Sequence, residues 1–538
     1  MAGSALAVML VLSAAAASTP PQPATPADLF ASSTSCVACH TGLTSPSGEE
    51  VPIASGWRAS MMANAARDPY WQAAVRRETL DHPAAAADIE HECSACHMPM
   101  VRFADHHAGR KTSVFAQTTA TPAVVPVAAL AMDGVSCTVC HQITDANLAE
   151  RSSFNANFEI DTTRRVIGGP FEIDPGRTRV MSSATGFSPA RQDHLQSSAV
   201  CATCHTLYTH ALSRDGKPAG ELPEQVPFLE WRHSAWRGER SCQSCHMPVR
   251  TEETAISSVL PQPRPAVSEH DFRGGNAFMM GILRTNAVAL GVTAPPEALL
   301  ESETRAIEHL KSHTARLTLG EASIVDGVLQ VDVSITNLAG HKLPTAYPSR
   351  RVWLHLAVRD SAGAVVFESG AVRPDGSIEG NDNDLDGARF EPHYRTIERT
   401  DQVQIYEAIL ADAEGDITTG LIRAVRYVKD NRILPRGFDK RSAHRDIAVY
   451  GDALDDPAFR DAGHRTRYAI ALGEHAGPFT VHAALLYQSI GFRWADNLAA
   501  VDSMETKRFA SMYAAAAAQS STLLATASAT IEPSEVSD

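Results

Sequence analysis

Residues Ser241–Arg250 read SCQSCHMPVR, which places two cysteines, a histidine and a methionine within six consecutive positions. The same C-x-x-C-H spacing recurs at 36–40, 93–97, 137–141 and 201–205, and these five copies use all ten cysteines of the 538-residue chain. Several chemistries compete for such a pattern. A redox disulfide uses C-x-x-C but has no need of the histidine, and one domain rarely carries five. Structural zinc would join the motifs two by two and leave an odd fifth. Ordinary disulfides join distant cysteines, because a tight loop constrains little chain. C-x-x-C-H is the attachment signature of c-type heme. The two thiols form thioethers, and the next residue sets an imidazole under the iron. Five covalently bound c-type hemes are therefore expected. Their anchors are Cys36, Cys39, Cys93, Cys96, Cys137, Cys140, Cys201, Cys204, Cys242 and Cys245, with His40, His97, His141, His205 and His246 as proximal iron ligands.

Five porphyrins change the folding problem. Residues 19–314 then need little conventional core, which fits the helical patches broken by Pro and Gly between the motifs. The clearest helix is Pro295–Leu317, which opens with Pro and acidic residues and closes with Lys and His, as the helix dipole prefers. Gly56–Leu80 is also helix-rich, with a break at Asp68–Pro69.

Each heme has a second axial position, and 17 of the chain's 22 histidines lie outside the motifs and could fill it. An isolated histidine is more often a surface or propionate-contacting group than a ligand. Local context singles out His194, seven residues before the fourth motif, and His270 in SEHDFRGGN, where Gly274 and Gly275 let backbone approach a flat ligand. Met61 and Met62 are thioether candidates, while His91, His106, His107, His210 and His233 are weaker ones. Met98 and Met247 each follow a proximal histidine and point away from its iron, so both are read as packing residues.

The motifs CSACHMP, GVSCTVCHQI, CATCHTL, EQVPFLEWRHS and CQSCHMP together resemble those of bacterial multiheme c-type cytochromes. These belong to the broad superfamily of the nitrifier tetraheme cytochrome and hydroxylamine oxidoreductase. The resemblance spans residues 30–280 and extends through GHKLPTAYPSRRVW and YVKDNRILPRGFDK. It implies hemes stacked in alternating parallel and perpendicular pairs that pass electrons. Hydroxylamine oxidoreductase itself has more hemes and a tyrosine cross-linked catalytic heme, for which this chain has no matching site.

From Ala315 the cysteines stop and alternating strand patterns begin, as in GVLQVDVSITN, RVWLHLAV and GPFTVHAALLYQSI. Residues 315–495 are expected to form an antiparallel β-sandwich of immunoglobulin type. Residues 496–538 are read as a C-terminal helix and a disordered tail. Between two strands lies NLAGHKLPTAYPSRR, where His341 is a third distal-ligand candidate and Arg350 and Arg351 are candidate partners for heme propionates. His393 is a weaker ligand candidate. In GNDNDLDGARFE, Asp382, Asp384 and Asp386 resemble the start of a calcium loop, with Glu391 as a further oxygen donor; a solvated acidic turn is the competing reading.

The N-terminal apolar run within residues 1–18 reads as a secretory signal peptide, too short to span a membrane. The net charge of −15 argues against nucleic acid and mainly for solubility, and redox partner proteins are the expected partners. The expected protein is multidomain: an exported, mainly α-helical and irregular multiheme cytochrome c domain, then the β-domain. Electron transfer in the periplasm or at the cell surface is the expected role. The alternative is an oxidoreductase acting on a small nitrogen or sulfur compound at an open heme.

Overall fold

The computed structural model describes residues 25–120 and 126–532. The signal peptide expected at 1–18 and the last six residues lie outside that range.

The described residues up to 314 form short helices, three two-stranded sheets and loops around a central cavity. The helix Pro69–Asp81 begins where Pro69 pre-sets the first turn and the Asp68 carboxylate accepts the Tyr70 and Trp71 N–H groups at 2.8 and 3.3 Å. The helix Ala86–His97 ends in the second motif. The longest helix, Pro296–His313, buries one stripe made of Leu299, Ser302, Ala306 and Leu310. Arg284 on the neighbouring helix Ala277–Thr285 reaches its Glu303 at 2.8 Å. Apolar side chains gather beside the motifs in small groups, such as Phe30, Trp71, Met98, Met100 and Phe103. Met98 is fully buried there, as expected of a packing residue.

The C-terminal half is built on eight strands. They are β1 (Ala315–Val325), β2 (Val328–Asn337), β3 (Arg351–Arg359), β4 (Val365–Ser369), β5 (Thr396–Ile397), β6 (Gly463–Ala471), β7 (Phe479–Gln488) and β8 (Ser521–Ile531). One sheet runs β1-β2-β6-β5, the other β4-β3-β7-β8 with the short strand Ile405–Tyr406 also paired to β3. All pairings in these runs are antiparallel except β5 with β6. Period-two alternation sends Leu329, Val331, Val333 and Ile335 of β2 and Leu354, Leu356 and Val358 of β3 into one shared apolar core. A smaller sheet of Ala408–Asp412, Ile417–Thr418 and Ala424–Asp430 lies beside them.

The tail is a correction. Residues 521–531, expected to belong to the C-terminal helix and disordered tail, form β8, paired along the length of β7 from Ser521–Gln488 to Ile531–Phe479. Ala, Ser and Thr fill this edge strand and blur its alternation, and only Leu524 is deeply buried. Its order comes from the ladder with β7 and not from its own apolar pattern.

Candidate cofactor-binding site

Each motif begins in a helical turn, so its two cysteines, three residues apart, share a face and the histidine follows one turn after the first. Caps hold these turns open at the start. Ser241 accepts the Ser244 N–H and Ser197 the Ala199 N–H. No cysteine is in a disulfide. All ten, together with the five motif histidines, line one continuous cavity of about 1680 Å³. No four of these groups converge as a zinc site would require. Among the described residues the one close cluster of potential metal ligands is His393, Asp456 and His464, which contains no motif residue.

The motif histidines are held in the tautomer that iron needs. His40, His97, His141 and His246 donate Nδ1–H to the carbonyls of Ile256, Ala65, Gly168 and Arg273 at 2.5, 2.8, 2.7 and 2.5 Å. A carbonyl only accepts, so the proton sits on Nδ1 and the Nε2 lone pair remains for a metal. Burial pushes His97 and His205 down to about 4, which keeps both imidazoles neutral.

Two of the three proposed distal histidines stand opposite motif histidines. His270 donates Nδ1–H to the Ser268 carbonyl at 3.0 Å, and His341 donates to that of Lys342 at 2.9 Å, so each keeps Nε2 free. The rings of His141 and His270 are 6.2 Å apart at 14°, and those of His246 and His341 are 6.3 Å apart at 12°. Imidazole nitrogens sit about 2 Å from a bound metal, so two imidazoles sharing one iron have centroids roughly 6 Å apart. Both pairs match that spacing. Gly275 serves another purpose than expected. A Cβ there would lie 2.5 Å from the Tyr487 hydroxyl, so the glycine makes room for a side chain of the β-domain.

The loop carrying His341 is pinned across the two halves. Glu230, fully buried, accepts the Lys342 N–H at 3.1 Å and the Thr345 hydroxyl at 2.5 Å. Lys342 Nζ donates to Asp430 at 2.7 Å and to the Ala448 carbonyl at 2.9 Å. Arg432 joins Asp430 at 2.7 Å to Glu230 at 3.0 Å.

His194 is a correction. It lies off the cavity, and its Nε2 bonds the Ile143 carbonyl at 2.8 Å, so its ligating nitrogen is spent on backbone. His393 also faces away from the cavity, deep in the β-domain. Its Nε2 and that of His464 reach Asp456 Oδ2 at 3.0 and 3.1 Å. This cluster resembles a metal triad but is wired against one. Gln404 and Asn431 turn their amide oxygens to the Tyr394 and Glu407 N–H groups, so their NH₂ groups both point at His393 Nδ1. His393 Nδ1 must accept and Nε2 must carry the proton given to Asp456, which leaves no lone pair for a cation.

The calcium loop is a further correction. Asp384 is bidentate with buried Arg351 at 2.8 and 3.0 Å and accepts the Ile378 N–H at 2.8 Å. Asp382 pairs with Arg389, and Asp386 accepts the Ala388 N–H. Glu391 takes the Asp382 N–H and the Tyr394 hydroxyl. Each carboxylate has its own donor. Arg351 is thereby withdrawn from any propionate role, whereas Arg350 does line the cavity.

Two cavity histidines escaped the sequence reading. His309 and His313 lie one turn apart on Pro296–His313 with rings 5.1 Å apart, and His309 is 5.9 Å from His246 at a 48° tilt. Their i, i+4 spacing in EHLKSH was the available signal.

The second and fourth motifs also touch, where the Cys96 thiol donates to the Cys204 carbonyl at 3.9 Å.

No protein-family model matches the chain, and no curated protein does. Its fold is similar to the crystal structure of a penta-heme cytochrome c552 from Thermochromatium tepidum. The TM-score is 0.52 and the identity 16%, covering 94% of this chain and 100% of the other.

Proposed function

We propose that the chain is an exported pentaheme c-type cytochrome that transfers electrons between redox partner proteins in the periplasm or at the cell surface. The observation that carries this is the tautomer-locked pairing of His141 with His270 and of His246 with His341 on one cavity that all ten free cysteines line. The residues fit the group: thiols for thioethers, neutral imidazoles for iron, and Arg350 for a propionate. Bound heme supplies a reversible one-electron iron couple. The chain's residues hold its axial positions, exclude water and keep neighbouring anchors in contact. No described helix is long and apolar enough to cross a membrane. The strand orders support an immunoglobulin-type reading of the β-domain, which contributes one axial ligand. The penta-heme neighbour supports the heme count. The link to the superfamily of the nitrifier tetraheme cytochrome and hydroxylamine oxidoreductase rests on the motif resemblance.

A second reading has its own support. Among the described residues no imidazole faces His40, His97 or His205 at the bis-imidazole spacing, which leaves room for an open heme acting on a small nitrogen or sulfur compound. The test uses purified holoprotein. Pyridine hemochrome analysis should count five thioether hemes, and stopped-flow mixing should show reversible electron exchange with a second c-type cytochrome. Steady turnover of nitrite, sulfite or hydroxylamine would overturn the carrier reading in favour of the enzyme.

A further inference from the structure

The helix Pro69–Asp81 lays Trp71, Val75 and Glu78 along one face, and all three line the cavity. This is the face of the second motif. Trp71 stacks on the His97 ring, with centroids 4.2 Å apart and planes within 1°. Glu78 lies two turns further, about 10 Å along the axis, on the same side. Its side chain is 6% exposed. Oε1 accepts the Leu421 N–H at 2.7 Å from the other half of the protein, while Oε2 is buried without a partner. A buried carboxylate oxygen with no donor is costly as an anion and cheap once it carries a proton.

The surroundings offer Glu78 little cationic relief. On its own helix Arg77 is shared with Asp81 at 3.0 Å and with Thr419. The helix Ala86–His97 brings Cys93, which Glu90 and Glu92 also surround. The strand Pro218–Gln225 brings Glu224, and the His341 loop brings the Tyr347 hydroxyl. The segment 419–423 adds backbone N–H groups and Arg423, which is committed to Asp412. Glu224 is buried as well, but its two oxygens accept from Thr209 and Gln225. Glu78 is thus the carboxylate in this group with an unfilled oxygen. Burial lifts its carboxyl to about 7, against Arg77, which pulls it down.

We propose that Glu78 is a proton-accepting site coupled to the heme of the second motif, taking up one proton when that heme is reduced and releasing it on oxidation. This rests on the pentaheme reading. The iron goes from ferric to ferrous with one electron from a protein donor. The Glu78 carboxylate takes a proton from solvent water and becomes the neutral acid, so the added electron and proton leave the local charge unchanged. On oxidation by the acceptor, the proton returns to water. His210 and Glu92, paired at 3.3 Å and open to solvent, line the same cavity and form its wet side.

The experiment is a spectroscopic redox titration of the holoprotein between about pH 5.5 and 8.5. One heme should titrate with a midpoint that is flat at low pH and falls above neutrality. The limiting slope is about 59 mV per pH unit, one tenfold change in proton activity per electron. Glu78→Gln should abolish that slope, while Glu224→Gln and Glu78→Asp should retain it. A slope that persists in Glu78→Gln assigns the proton to a propionate or another carboxylate and overturns the proposal. A wild type with five hemes and no pH dependence does the same. If Glu78→Gln does not assemble, Glu78→Asp decides, because shortening the side chain must move the break in the same heme's curve; an unmoved break overturns the proposal. A wild type with fewer than five thioether hemes defeats the pentaheme reading and not the coupling itself.

Discussion

Replacing His341 by alanine tests the contact on which the two-domain reading depends. The imidazole sits 6.3 Å from that of His246 in nearly parallel planes, and its one hydrogen bond runs from Nδ1 to the adjacent Lys342 carbonyl. Losing that bond costs the fold about 1 kcal/mol, because the loop remains held by Lys342, Thr345 and Glu230. The iron loses much more. One ferric heme of five should pass from low to high spin, about a fifth of the total iron. Electron paramagnetic resonance and the visible charge-transfer band both read this, and added imidazole should reverse it. His309 is the natural competitor, 5.9 Å from His246 but tilted by 48°. If His309→Ala gives the high-spin signal and His341→Ala does not, the parallel-ring criterion is wrong. If neither does, the fifth motif does not take its second ligand from this face.

Further outcomes follow from the buried charges. Lys342→Met leaves Asp430 with Arg432 as its remaining cationic partner and should cost about 3 kcal/mol in urea unfolding; a loss under about 1 kcal/mol would show that the network does not hold the loop. Calcium chelators should not move the unfolding midpoint, since Asp384 is committed to Arg351; a chelator-induced drop refutes that assignment. His393 is lowered from 6.5 to about 4, chiefly by burial. The unfolded chain therefore binds the extra proton first, and stability should decline as pH falls from 6.5 towards 4, by up to about 3 kcal/mol. His393→Gln should flatten that part of the curve when unfolding is followed at a series of pH values, and an equally steep curve refutes the role.

The candidate cofactor site was legible because its signal is local. Five C-x-x-C-H copies name fifteen residues without any knowledge of tertiary structure, and all fifteen line one cavity. Distal ligands have no such local signature. His194 was singled out by its place seven residues before the fourth motif and His270 by the glycines that follow it, and neither signal says which ring nitrogen is free. The two histidines are separated by one carbonyl: Ile143 takes the Nε2 of His194, whereas Ser268 takes the Nδ1 of His270 and leaves Nε2 free. The acidic run 381–386 misled for a related reason. Its carboxylates match a calcium loop in spacing, but the donor that claims Asp384 is Arg351, 33 residues earlier. The tail 521–531 was missed because a small-residue edge strand takes its order from the neighbour that pairs with it.

His341 shows what joins the two halves. It lies far along the chain from His246, past the long helix and two strands, and a loop between β2 and β3 has no intrinsic reason to face a heme. What directs it is the set of charges around its neighbour. Glu230 comes from the EQVPFLEW segment that leads into the fifth motif, and Asp430 and Arg432 come from YVKDNRILPRGFDK. Four ionic groups from three separate stretches satisfy one another only when the loop lies against the fifth motif. Removing any one leaves a charge buried without its partner. These stretches include the segments outside the heme motifs that suggested a relationship with multiheme cytochromes. Their shared physical effect is to seat the His341 imidazole 6.3 Å from that of His246, so the strand half of the chain takes part in the cavity that the motifs line.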